Sequence, residues 1–267
     1  MPIEKTDAIV LRVTPFSATS HVVTWLTRDR GRLFTLVKGA TRPRSAFLGQ
    51  YDLHYTCELL YYGKDHGGVS IARECTPLKT RTGLRSDWKA SLCAGYSSEL
   101  VAWCTMPGQP VPPVYDLLDS ALDFLSENGA RRTMLPWFEL TLLSSLGLAP
   151  RFDSCSLCGT AVGPETRTAL APRHGGVLCH ACRSRPDAGQ VRQMSGSAIA
   201  MLSAWQRSGT PRAAHATACP DDPWLETLGL LAMLLAEHLG GTLPVRARVA
   251  KLLDQCTAQT RAREVPT

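Results

Sequence analysis

Two close pairs of cysteines, Cys155-x2-Cys158 and Cys179-x2-Cys182, constrain this chain more than any other feature. Two residues between thiolates is the reach of a tight knuckle turn, which lets both sulfurs bind one ion about 2.3 Å away. With 20 residues between the pairs, two such knuckles complete a tetrahedral shell of four sulfurs. A catalytic zinc keeps one position open for water, and this shell leaves none, so the spacing predicts a single structural Zn2+. The surrounding stretch, 151–190, has few large apolar residues and no periodicity. Metal binding therefore has to supply its folding energy. The competing readings are four unrelated buried thiols, a ribbon that has lost its metal, or a site in which His174 or His180 stands in for a cysteine. The other six cysteines, Cys57, Cys75, Cys93, Cys104, Cys219 and Cys256, are scattered singly and read as small core residues.

A metal reading presumes reduced thiols. The opening Met-Pro-Ile-Glu-Lys lacks the basic-then-apolar layout of a signal peptide. The longest apolar run, Leu228 to Ala236, stops at Glu237, far short of the roughly 20 residues of a membrane span. The expectation is a cytoplasmic protein with no membrane association.

The first 80 residues read as strands. Ile9 to Val13, His21 to Thr27, Arg32 to Lys38, Leu53 to Tyr61 and Val69 to Arg73 are short runs rich in β-branched and aromatic residues. Turn material separates them, including Gly63 to Gly68. Five short strands at this spacing suit a small closed barrel such as an OB-fold, with a sandwich fragment as the alternative. After Pro77 the pattern becomes helical, over 86–104, 114–127 and from Thr133 to near Gly147. Beyond the cysteines it returns from Ser195, with Asp222-Pro223 as a start signal for an apolar helix ending near Gly240 and a last helix over 245–257. The expected architecture is α+β and multidomain. An OB-fold DNA-binding domain spans 1–80, a helical domain is split between 81–150 and 191–258, a zinc module is inserted at 151–190, and 259–267 is a tail.

Charge singles out one segment. The chain carries 29 basic and 23 acidic residues, and Arg28 to Arg44 alone holds six cations (Arg28, Arg30, Arg32, Lys38, Arg42, Arg44) against Asp29. Arg32, Phe34, Leu36 and Lys38 share strand parity and so project from one face. Cations around an aromatic on a strand face suit a nucleic-acid backbone crossing a barrel, with Phe34 either stacking on a base or turned into the core. Concentrated like charge is costly unless something uses it, which favours nucleic acid over a solvated hairpin. Arg246, Arg248 and Lys251 open the last helix as either a second contact or a polar face.

No phosphate loop, dinucleotide fingerprint, nucleophile elbow or H-E-x-x-H occurs, and no histidine has a glutamate two residues on, as the nucleobase deaminases require. The expectation is a non-enzymatic protein. A zinc-ribbon protein-interaction module, an RNA-binding module and a nucleic-acid enzyme are the other classes.

Three features together resemble the bacterial recombination mediator family RecO. They are Ala8-Ile9-Val10-Leu11-Arg12 followed by Pro15-Phe16-Ser17 and Ser20-His21-Val22-Val23; Leu26-Thr27-x3-Gly31 leading to Val37-Lys38-Gly39-Ala40, Arg42 and Gly49; and the four-cysteine segment after Leu146-Gly147-Leu148-Ala149-Pro150. Leu239-Gly240 with Leu243 and Arg246 is similar to the family's closing motif. The resemblance implies an N-terminal OB-fold, a helical domain and an inserted zinc module. It implies binding of single- and double-stranded DNA, strand annealing, and loading of RecA onto strands coated with single-strand DNA-binding protein, in a nucleoid-associated setting. The implied protein partners are RecR and the single-strand DNA-binding protein. Family DNA contacts carry over onto Lys38, Arg42 and Arg44, and onto Arg246 in the tail. With the charge reading, the candidate DNA residues are Arg28, Arg32, Lys38, Arg42, Arg44 and Arg246.

Overall fold

The computed structural model describes residues 2–63, 68–163 and 168–264. The chain packs as two compact units, Met1–Gly129 and Ala130–Thr267.

In the first unit, β1 (Ile3–Pro15), β2 (His21–Thr27), β3 (Gly31–Val37), β4 (Thr56–Tyr62) and β5 (Val69–Lys79) close a barrel in the order β1-β2-β3-β5-β4. β1 is long enough to serve two neighbours. It pairs with β4 over its first half and with β2 over its second, and a register shift between Val10 and Arg12 turns it from one to the other. The parallel pairing of β3 with β5, Phe34 opposite Val69, seals the barrel. This is the OB-fold expected from the strand spacing. Alternation places Val23, Trp25, Val37, Leu59 and Tyr61 in the core. The buried indole of Trp25 donates to Thr35 Oγ1 at 2.9 Å. The turn read at Gly63 to Gly68 falls, at 64–67, outside the described residues.

Three helices complete this unit: α1 (Gly83–Ser86), α2 (Trp88–Cys104) and α3 (Pro112–Asn128). Asp87 caps α2 by accepting from the Lys89 and Ala90 amides, and proline starts α3, where its missing N–H is not needed. Arg81, buried between strand and helix, clamps α3 to the barrel. Its guanidinium donates to His54 O (2.6 Å), Thr56 Oγ1 (2.9 Å), Asp119 (2.5 Å) and Asp123 (2.7 Å).

The second unit holds α4 (Met134–Ser145), then β6 (Thr168–Ala171), β7 (Gly176–Leu178) and β8 (Arg192–Met194) in a sheet ordered β7-β6-β8. α5 (Gly196–Arg207), α6 (Pro211–Ala216), α7 (Asp221–Leu239) and α8 (Val245–Glu264) follow, and α4 packs against α5, α6 and α7. The boundary between units thus lies inside the 81–150 stretch, at Gly129 after α3. The tail expected at 259–267 is helical as far as Glu264, because Ala, Gln, Arg and Glu continue α8 readily. Among the described residues, no helix is long and apolar enough to cross a membrane.

Candidate metal centre and nucleic-acid interface

The small sheet of the second unit exists to bring two knuckles together. At the first, Gly159 N–H donates to Cys155 O and Cys155 N–H to Thr160 O, both at 2.8 Å, with Gly159 at a left-handed φ of 73°. At the second, Arg183 N–H donates to Cys179 O at 3.1 Å directly after β7 ends. The two are joined by Ser156 N–H to Val177 O at 2.8 Å. Gly176 makes that approach possible, since a Cβ there would lie 2.4 Å from Arg151 O and 2.6 Å from Ser156 Oγ.

The result is four sulfurs within 4.8 Å of one another, from Cys155, Cys158, Cys179 and Cys182. The Cys158 and Cys179 sulfurs are 3.7 Å apart. The edge of a tetrahedron with metal–sulfur bonds of about 2.3 Å is roughly 3.8 Å, so the set fits one ion. The Thr160 side chain, with Oγ1 3.2 Å from Cys158 Sγ, and its backbone help hold that thiol down at about 6, while burial pushes Cys182 up to about 12. Four thiolates this close repel, and a cation among them lets all four ionise together. His174 is engaged elsewhere, with Nε2 2.8 Å from Asp187 O, and neither it nor His180 joins the cluster.

The basic segment of the barrel is divided. β3 runs about 20 Å from Gly31 to Val37, so the cations before it and those after it lie at opposite ends of the strand. At the early end every arginine has a partner. Arg28 makes a two-pronged pair with Asp116 (2.9 and 3.1 Å), and Arg30 meets Glu4 at 3.3 Å and Asp29 at 3.6 Å. Arg32 donates to Ala102 O at 2.6 Å and lies 5.5 Å over the Phe34 ring. At the late end, Lys38, Arg42 and Arg44 are exposed, and among the described residues none makes an ion pair or a side-chain hydrogen bond.

The parity argument places Phe34 correctly on the outer face, half-buried, but its ring is covered by Arg32. Lys38 stands one residue past the end of β3, in the turn, so strand parity with Arg32 does not fix its face. The loop that carries the late cations is held in place. Successive turns run from Gly39 to Gln50, Phe47 and Tyr51 pack on the barrel core, and Tyr51 Oη lies 2.7 Å from His21 Nδ1.

Arg246 corrects the expectation that it contacts DNA. It is buried, with Nε and Nη2 on the two carboxylate oxygens of Glu139 at 2.7 and 2.8 Å and a further bond to Leu228 O at 3.1 Å. Glu139 is itself fully buried, so the arginine is its counter-ion. Arg248 and Lys251 remain exposed on α8.

Comparison with known proteins agrees with both units. Residues 1–81 match the family model described as Recombination protein O N terminal, and 85–247 match Recombination protein O C terminal. A DNA repair protein RecO of Anaeromyxobacter sp. (strain Fw109-5) is 33% identical over 91% of this chain and 93% of its own length. That of Myxococcus xanthus is 32% identical over 88% and 91%. That of Moorella thermoacetica is 35% identical over 66% and 65%. Together with the closed barrel and the four-sulfur cluster, these matches establish that the chain belongs to the RecO family of DNA repair and recombination proteins.

Proposed function

We propose that this protein is a non-enzymatic recombination mediator. It binds single- and double-stranded DNA, anneals complementary strands, and with RecR helps load RecA onto DNA coated with single-strand DNA-binding protein. The observation that carries the DNA contact is the charge left over at the late end of β3. Lys38, Arg42 and Arg44 stand exposed, and unpaired among the described residues, on a loop tied to the barrel core, within a family whose relatives are named as DNA repair proteins. Cations held at a surface with no acid to meet them release counter-ions when phosphates arrive, and that release drives binding without reading sequence. Arg28 and Arg32 are left out of this contact because acid or carbonyl partners already engage them.

We assign Zn2+ to the four-cysteine cluster. Four thiolates in a closed tetrahedral set favour zinc, and the closed shell gives it a structural role in the module around β6–β8. Freshly prepared reduced protein should contain about one zinc per chain by elemental analysis. Another metal in its place, or none, would overturn the assignment. The cytoplasm, where DNA and reducing conditions coincide, is the compartment in which both proposals operate.

The mediator reading is tested by annealing complementary strands coated with single-strand DNA-binding protein, with and without RecR and without any nucleotide. Annealing under these conditions supports the reading. Salt-independent binding, preference for RNA in competition, or an absolute need for ATP by this protein alone would overturn it.

A further inference from the structure

We propose that Phe16 is a base-stacking platform for single-stranded DNA, placed beside Lys38, Arg42 and Arg44 so that one face of the barrel tells single strands from duplex. This rests on the DNA reading above and extends it to strand form.

A lone exposed phenyl is ordinary on a protein surface. Phe16 is distinguished by where it is held. Its side chain lies in the turn after β1 and is 65% exposed. The turn is closed by Phe16 N–H and Ser17 N–H to Ser20 O, at 2.8 and 3.2 Å. Three further bonds tie the turn to the basic loop. Thr41 N–H donates to Thr19 O (3.2 Å), Thr41 Oγ1 to Ala18 O (3.3 Å), and Gly39 N–H to Ser20 Oγ (3.2 Å). Across the sheet Pro15 pairs with His21 and His21 with Val37. Pro15 and Val37, the last residues of the two strands flanking β2, therefore share a row and lie about 10 Å apart, and Phe16 and Lys38 are the next residue after each. The ring and the cations belong to one preorganised surface. Phe34, the aromatic in the same segment, cannot serve in this way because Arg32 occupies its face.

The chemistry separates two ligands. Cations meet phosphates on any strand form, and carry no base information. A ring needs the face of an unstacked base, and only a single strand offers one without the cost of opening a duplex.

The test compares the full-length, metal-loaded protein with Phe16→Ala, Phe16→Trp and the double variant Lys38→Ala/Arg42→Ala. Binding is followed by fluorescence anisotropy on a mixed-sequence single-stranded oligonucleotide and on its duplex, over a salt series. Phe16→Ala should weaken single-strand binding roughly 5- to 100-fold, leave duplex binding unchanged and keep the parent's salt slope, because stacking releases no counter-ions. Phe16→Trp should restore single-strand affinity, and quench 2-aminopurine in the oligonucleotide as the parent does. An unchanged single-strand affinity, or an equal loss on both forms, would overturn the stacking role. The double variant keeps the two failures apart: if it binds with the parent's affinity and slope, the DNA face itself is misplaced, whereas loss there with an inert Phe16→Ala removes only the stacking.

Discussion

The two ends of β3 carry the same residue types and put them to different uses. At the early end Arg28, Arg30 and Arg32 are met by Asp116, Glu4 and the Ala102 carbonyl. At the late end Lys38, Arg42 and Arg44 meet nothing among the described residues. A count of cations along the chain merges the two, while the fold sets them a strand length apart. An arginine's role is set by what its five donors already hold, since its rigid fork matches a protein carboxylate as well as a phosphate. Arg246 is the extreme case, buried and held by both oxygens of Glu139 and by the Leu228 carbonyl.

The largest effect is therefore expected at Arg246. Arg246→Ala removes the guanidinium that holds both oxygens of the buried Glu139 carboxylate and should destabilise the second unit by about 3–5 kcal/mol in denaturant unfolding. The salt slope of DNA binding by the protein that remains folded should not change. Replacing both partners with apolar side chains, Glu139→Leu with Arg246→Met, should recover much of the loss. If Arg246→Ala instead flattened the slope with stability intact, engagement would be a poor guide to role, and the comparison between the two ends of β3 would lose its basis.

How far this was legible in the sequence depends on the distance between partners. The knuckles are local, so their spacing alone picked out the four cysteines whose sulfurs cluster, and the strands of the barrel announced themselves by alternation between turn residues. The small sheet β7-β6-β8 was missed, because strands of three and four residues are too short for a period to show. Arg246 was misread because its partner lies 107 residues away, and nothing near it in the chain distinguishes a counter-ion from a phosphate ligand. Lys38 falls one residue past the end of β3, where strand parity no longer fixes the direction of a side chain. Phe16 carried a signal that went unused: an aromatic between proline and serine in a turn, where nothing local can bury it.

A second effect comes from His54, whose carbonyl accepts from Arg81 and whose ring is held at a buried site with Nδ1 3.1 Å from Ser98 Oγ. Burial, then the Arg81 charge, lowers its pKa from 6.5 to about 4. The unfolded chain therefore binds a proton that the folded one refuses between these values. Stability from this group is complete above pH 6.5 and is lost as pH falls toward 4, by roughly 3 kcal/mol at most. His54→Asn, which tolerates the left-handed backbone at φ 67°, should flatten that part of the pH profile. An unaltered profile would mean that the barrel floor admits the charged imidazole, and that the internally engaged Arg81 does not oppose it.

The third effect belongs to the late end of β3. On the proposed DNA contact, Lys38→Ala, Arg42→Ala and Arg44→Ala together would remove three phosphate contacts, so the log–log salt slope on single strands should flatten by about 2 and affinity near physiological salt should fall by roughly 2 kcal/mol. Thermal stability and metal content should hold, because all three side chains lie at the surface and bond to no described residue. A triple variant that kept the parent's slope would move the DNA site off this end of the barrel altogether.

The smallest effect is the sharpest test of the division. Arg28→Ala removes a cation only ten residues before Lys38, with the same formal charge and comparable exposure, so a purely electrostatic view of the segment expects both changes to weaken DNA binding alike. The fold expects otherwise. Arg28 lies against both oxygens of Asp116, and neutralising it leaves that carboxylate exposed and hydrated rather than buried. An exposed ion pair of this kind contributes about 0–1 kcal/mol, so unfolding should shift by less than that. The pair has little net charge to offer a phosphate, and its loss should leave the salt slope within a few tenths of the parent, against about 0.7 for Lys38→Ala. Asp116→Ala gives the reciprocal reading. Freeing Arg28 from its acid should raise affinity slightly and steepen the slope if DNA reaches that end of the strand, and should change neither if it does not. Equal slopes for Arg28→Ala and Lys38→Ala would show that phosphates displace Asp116, and that the early end joins the interface once DNA is bound.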